Sequence, residues 1–164
     1  MAGDFPFFAP PDNNLGLGTF AEEMSDENHK IGDLPLVVGD NYLAEAGVDR
    51  IDLIKLDIEG FERHALIGLE NTLAQNRPIV VLELNSSEGA FQSKEQLFET
   101  FPADYEFWKF RPAYFGTRLG NWRYVFGPGV HGRYTLSRFD FDFNELINMA
   151  AIPIEKRPSF IEVD

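Results

Sequence analysis

The stretch IDLIKLDIEGFERHALIGLENTLAQNRPIVVLELN, residues 51 to 85, constrains the fold more than any other part of the chain. Ile51, Leu53, Ile54, Leu56 and Ile58 form a short apolar run interrupted by Asp52, Lys55 and Asp57, a length that favours a buried strand. Gly60 ends it. Phe61, Ala65, Leu66, Leu69 and Leu73 then recur every three to four residues, the amphipathic helix period, until Pro78 breaks the pattern ahead of the β-branched run PIVVLELN. A strand, a helix and a strand in that order imply a right-handed parallel crossover, so the predicted fold class is α/β.

Weaker signals extend this unit in both directions. LPLVV, residues 34 to 38, suits a strand, and Asp40 is placed to cap a brief helix running through Ala46 and stopping at Gly47. SKEQLFETF, residues 93 to 101, suits a helix, and YEFWKF, residues 105 to 110, alternates as a half-buried strand does. From Arg111 to Arg138 the chain is aromatic and rich in Gly and Pro, compatible with a hairpin around NWRYVFG or a long ordered loop. ELINMAAIPI fits a helix from Asn144 or a strand ending at Pro153, and we favour the strand. Residues 1 to 33 lack a sustained pattern and read as an irregular N-terminal segment preceding an α/β domain over 34 to 164.

Composition excludes several functions. Fourteen Lys and Arg stand against 27 Asp and Glu, a formal net charge of -13 that repels phosphate backbones and anionic membrane surfaces, so neither nucleic acid nor membrane is an expected partner. The absence of cysteine removes disulfides, thiolate metal sites and cysteine nucleophiles. No basic start leads into an apolar run, and no run approaches the roughly 18 apolar residues of a spanning helix, so a soluble chain is expected, with the cytoplasm as the default. The acidic tract AEEMSDEN, residues 21 to 28, reads as a solvated loop.

The chemistry concentrates where the first strand of the 51 to 85 unit turns into its helix, the place where open α/β sheets bind ligands. Asp57 and Glu59 are two apart and point to one side if the strand continues through Glu59, while Glu62 lies in the first helical turn. Such carboxylates can take a proton from a hydroxyl, hold a divalent cation or bind sugar hydroxyls. They can equally cap the helix, with Lys55 pairing Glu59 or Glu62, and spacing alone does not choose. Glu83 and Asn85, at the end of the next strand, are placed to line a substrate cleft. Ser86 and Ser87 lack a nucleophile elbow and a nearby His. His29, His64 and His131 are scattered, so no metal is assigned. Trp108 and Trp122, with Tyr114, Phe115 and Tyr124, read as core or interface rather than as an acceptor platform.

Taken together, the apolar strand, Lys55, Asp57, Glu59, Gly60 and Glu62, the Ala/Leu helix, Pro78 and the second strand closely resemble the signature of the FkbM methyltransferases. NNLGLGTF, residues 13 to 20, and INMAAIP are similar to that family's Asn/Gly segment and final strand. The resemblance implies a Rossmann-like sheet that binds S-adenosylmethionine and transfers its methyl group to an oxygen, commonly a hydroxyl of a sugar, glycan or polyketide. It makes Asp57, Glu59 and Glu62 the catalytic candidates. In methyltransferases of this architecture the Gly-rich turn after the first strand and the acid after the second hold the cofactor, and both precede the stretch matched here. The chain therefore resembles the C-terminal half of such a sheet, the N-terminal cofactor-binding half is expected to be missing, and no cofactor-binding residue is assigned. The strand at 51 to 58 would then present an open apolar edge, to be covered by a missing segment or a second copy.

Two other readings follow. A non-catalytic remnant would act as a binding or assembly module through that edge and the aromatic C-terminal segment. A glycosidase pair would need carboxylates about 5 to 9.5 Å apart across a bond, which two residues of one strand suit poorly.

Overall fold

The chain opens with an antiparallel ribbon, β1 (Gly3–Ala9) and β2 (His29–Leu36), in register from Gly3 opposite Leu36 to Ala9 opposite His29, with a bulge between Phe7 and Phe8. The computed structural model describes residues 2–9, 18–20, 29–84, 91–112, 134–143 and 147–157. This ribbon corrects the expectation of an irregular first 33 residues and of a strand confined to residues 34 to 38: Leu34 lies well inside β2, which ends at Leu36. Pro6 and Pro35 argue against strands only where an N–H is needed for a ladder, and an antiparallel ribbon uses the N–H of alternate residues only. Thr19 adds an isolated antiparallel bridge to Phe8.

The predicted short helix is present as α1 (Gly39–Glu45), and Gly47 follows it in the left-handed region at φ 68°. Asp40 does not cap it. Val38 holds the N-cap position, and the Asp40 carboxylate reaches another helix, accepting hydrogen bonds from the amides of Asn71 at 2.8 Å and Thr72 at 3.0 Å.

That contact explains a second correction. The predicted continuous helix is two, α2 (Glu62–Ile67) and α3 (Glu70–Gln75). In an unbroken helix the Gly68 carbonyl would accept from Thr72 N–H. Instead it accepts from Asp40 N–H at 2.8 Å, while Thr72 N–H turns to the Asp40 carboxylate. One residue from α1 thus replaces helical bonds with tertiary ones. Leu66 and Leu73 still reach the core.

A five-stranded mixed sheet forms the body, in the order β3-β4-β7-β5-β6. β3 (Leu53–Leu56) and β4 (Ile79–Leu84) are parallel, as the strand, helix and strand pattern requires. β7 (Ile147–Pro153), the favoured strand at the C-terminal apolar run, inserts antiparallel between β4 and β5 (Tyr105–Pro112), and β6 (Tyr134–Arg138) closes the far side. β4 and β5 consequently run the same way. This mixed α/β arrangement is compatible with a methyltransferase-like fold. The NWRYVFG segment lies outside the described residues.

The helix at 93 to 101 is α4 (Lys94–Thr100), with the Ser93 hydroxyl accepting from Gln96 N–H. Leu66, Leu73 and Leu97 from the helices pack with Val80, Leu82, Leu84, Phe107 and Met149 on one face of the sheet. Trp108, Ala150 and Ile152 form a second cluster with Val81 and Phe110. β5 differs from a half-buried strand, because Trp108 and Lys109 are both buried and the Lys109 ammonium pairs with Asp140. β7 pairs with Tyr105 to Lys109 and β6 with Trp108 to Pro112, and the Glu106 carboxylate is paired with Arg138 and Arg157. β3 pairs with β4 alone among the described residues, leaving Leu53 61% exposed. No helix among the described residues is long and apolar enough to cross a membrane.

Candidate functional site

β3 ends at Leu56, so the premise that Asp57 and Glu59 align along a continuing strand does not hold. A turn brings them together instead. Glu59 sits at φ 49° and Gly60 at φ 91°, consecutive left-handed residues that reverse the chain before α2. Glycine enters this region freely, whereas Glu59 does so against its Cβ.

Across the parallel pair, Leu56 is opposite Leu82, so Asp57 emerges beside Glu83 at the C-terminal ends of β3 and β4. One ligand oxygen from each of Asp57, Glu59 and Glu83 lies within 4.8 Å of the others. Lys55, also on β3, pairs with Asp57 at 3.0 Å and not with Glu59 or Glu62. Asn148 on β7 is the cross-strand partner of Glu83 and is exposed, adding an amide to the rim. Sequence reading passed over Asn148, although its one signal, a lone polar residue in the apolar run INMAAIP, is present.

Glu62 stands apart from that trio. Only 1% exposed, it accepts from Ile58 N–H at 3.1 Å and Gly60 N–H at 3.3 Å through Oε1, while Oε2 has no hydrogen-bond partner among the described residues. Its carboxylate therefore supports the turn from within, which is the capping role spacing had left open. Asn85 lies outside the described residues.

The electrostatics follow from the crowding. Burial, then the charges of Glu83, Asp57 and Glu62, push the Glu59 carboxyl above its ordinary value. Burial also raises Glu83, with Asp57 and Glu62 adding to the effect and Lys55 opposing it. A carboxylate raised in this way is a better proton acceptor at neutral pH than a solvated one. The oxygen-only set also has the chemistry of a hard divalent cation site, held together by charge neutralisation.

His64 stacks on Phe61 with ring centroids 4.5 Å apart, and burial holds its imidazole below the usual value. Trp108 packs in the core. Two grooves are found elsewhere, about 530 Å³ beside Arg63, Leu66, Glu70 and Phe101, and about 410 Å³ beside Asp40, Asn71 and Gln75; Asp57, Glu59 and Glu83 line neither.

Compared with known families, residues 3–118 of the 164-residue chain match the methyltransferase FkbM domain. The matched span includes the ribbon, NNLGLGTF and the whole of residues 51 to 85, and ends before INMAAIP. No curated protein and no solved structure matches the chain.

Proposed function

Because this chain belongs to the FkbM methyltransferase family, we propose that it is an S-adenosylmethionine-dependent O-methyltransferase in which Glu59 receives the proton of an acceptor hydroxyl and Asp57 orients that hydroxyl. The observation that carries this reading is the convergence of Asp57, Glu59 and Glu83 at the C-terminal ends of a parallel strand pair inside the family-matched span. That is where open α/β sheets take ligands.

Carboxylates can accept hydrogen bonds from the ribose hydroxyls and ammonium of such a cofactor, so an acidic rim is compatible with it, but Asp57, Glu59 and Glu83 are read here on the acceptor side and no cofactor-binding residue is assigned. When bound, the cofactor supplies an electrophilic methyl carbon next to a cationic sulfur. What these residues contribute is orientation and a proton sink. Glu59, raised by burial and by Glu83, is the base, and Asp57, tethered to Lys55, orients the hydroxyl. Glu83 and Asn148 line the acceptor side, which suits a polyhydroxyl compound such as a sugar, glycan or polyketide. Glu62 holds the turn.

Calorimetric titration with S-adenosylmethionine, repeated with S-adenosylhomocysteine, tests the proposal. Saturable micromolar binding supports it, and absence of binding refutes cofactor use by this chain. The edge of β3, open among the described residues, favours a second reading as an assembly module that pairs with a second copy or a further segment. A chain that fails to bind cofactor yet dimerises would favour that alternative.

A further inference from the structure

We propose that Thr19 is a positioning residue for Glu59: its hydroxyl grips the carbonyl of the left-handed residue that brings the third carboxylate to Asp57 and Glu83. The Thr19 hydroxyl donates to the Glu59 carbonyl at 2.7 Å, across 40 residues of sequence, and Thr19 is 1% exposed.

The turn needs such a hold. A residue with a Cβ at φ 49° is in a region it rarely adopts, and it stays there only when its surroundings fix it. Glu62 secures the turn from inside through the amides of Ile58 and Gly60, but those bonds leave the Glu59 carbonyl unanswered. Thr19 answers it from outside. If the carbonyl is released, the peptide can rotate towards the right-handed region, and the Glu59 side chain swings away from Glu83.

Thr19 is itself anchored. Its N–H donates to the Phe8 carbonyl and its carbonyl accepts from Phe8 N–H, both at 2.9 Å, so the hydroxyl is carried by the ribbon. The next residue, Phe20, packs against Phe7 with centroids 5.0 Å apart and against Phe61 at 5.6 Å, and Phe61 stacks on His64 of α2. A row of rings thus fastens the ribbon to the far side of the turn. In this arrangement the N-terminal ribbon sets the geometry of a site whose carboxylates come from β4 and the loop after β3. The functional weight of the proposal rests on the reading of Asp57, Glu59 and Glu83 given above, but the positioning itself is testable without any activity.

The full chain, labelled with ¹³C and ¹⁵N, would be compared with Thr19→Val and Thr19→Ser by the backbone chemical shifts of Glu59, which report left-handed φ. We expect the left-handed signature to be lost in T19V and kept in T19S. A folded T19V with unchanged Glu59 shifts would overturn the proposal. Should T19V unfold, the wild-type chain provides the second route: the Thr19 hydroxyl proton, held on the Glu59 carbonyl, should exchange slowly with water, and a hydroxyl proton in fast exchange would overturn the proposal. A failure of cofactor binding would refute the methyltransferase reading and leave these shifts as they are.

Discussion

One oxygen of the Asp40 carboxylate, Oδ1, receives two hydrogen bonds from Thr72, from its amide at 3.0 Å and its hydroxyl at 2.6 Å, while Oδ2 receives the Asn71 amide. An aspartate at the start of α1 therefore acts as the N-terminal cap of α3 and holds the helix open at Gly68. Replacing a capping aspartate with alanine costs about 1–2 kcal/mol, and we expect Asp40→Ala to lose that much in urea denaturation. Burial works against the charged form of Asp40, but the Thr72 hydroxyl and the two amides outweigh it and hold the carboxyl below its ordinary value. A depressed carboxyl contributes stability above its unfolded value that is lost as pH falls through the folded one. The penalty of D40A should accordingly be full at pH 6 and shrink below about pH 4.

Gly39, the residue before Asp40, tests how tightly α1 seats on the helix break. A Cβ built there would meet Leu69 Cδ2 at 2.5 Å and Cγ at 2.8 Å, with the Gly68 carbonyl at 3.2 Å. The branch carbon cannot swing aside as a chain end could, so Gly39→Ala should destabilise by about 1–3 kcal/mol through overpacking. Thermal melting of G39A, with Gly32→Ala as a control where a Cβ meets nothing within 4 Å, would check it.

Glu83 should show the opposite pH sign from Asp40. Its folded value is raised, so the favourable contribution of its protonated form is complete below the ordinary glutamate value of the unfolded chain and disappears as pH rises through the folded value. At pH 7 the ionised group repels Asp57 and Glu62. We expect Glu83→Gln to melt higher than wild type at pH 7 and to lose that advantage near pH 4. Equal melting shifts at both pH values would show that the three carboxylates do not interact as placed.

Asp57 and Glu59 are the residues whose loss should separate chemistry from binding. With an acceptor identified by screening hydroxylated compounds, Glu59→Gln should slow transfer of a labelled methyl group by about 10²–10⁴-fold, the usual contribution of a general base, and Asp57→Asn should slow it by less. Calorimetry on the same variants should show folded proteins whose cofactor affinity changes far less than their rate. A variant that loses affinity and rate together would place its carboxylate on the cofactor.

How much of this was legible in the sequence depended on distance along the chain. The apolar run at 51 to 58, the helical spacing after Gly60, the break at Pro78 and the helical pattern of residues 93 to 101 are local signals, because backbone sterics and side-chain periodicity act within a few residues. They sufficed for the parallel pair of β3 and β4, for α4, and for locating the acids Asp57 and Glu59 at a strand end. Glycine and proline in the first 33 residues masked a ribbon, because a pairing between Ala9 and His29 leaves no short-range trace.

Tertiary structure alone decided the rest. Asp40 broke a helix that sequence periodicity ran unbroken, from 32 residues upstream of Thr72. Thr19 grips the turn at Glu59 from 40 residues away, and the register of β3 on β4 chose Glu83 as the third carboxylate while Glu62 went inside to bond amides. Periodicity reports which residues want to be buried. It does not report which partner satisfies each polar group, and in a closely packed interior that matching is settled only when distant segments meet.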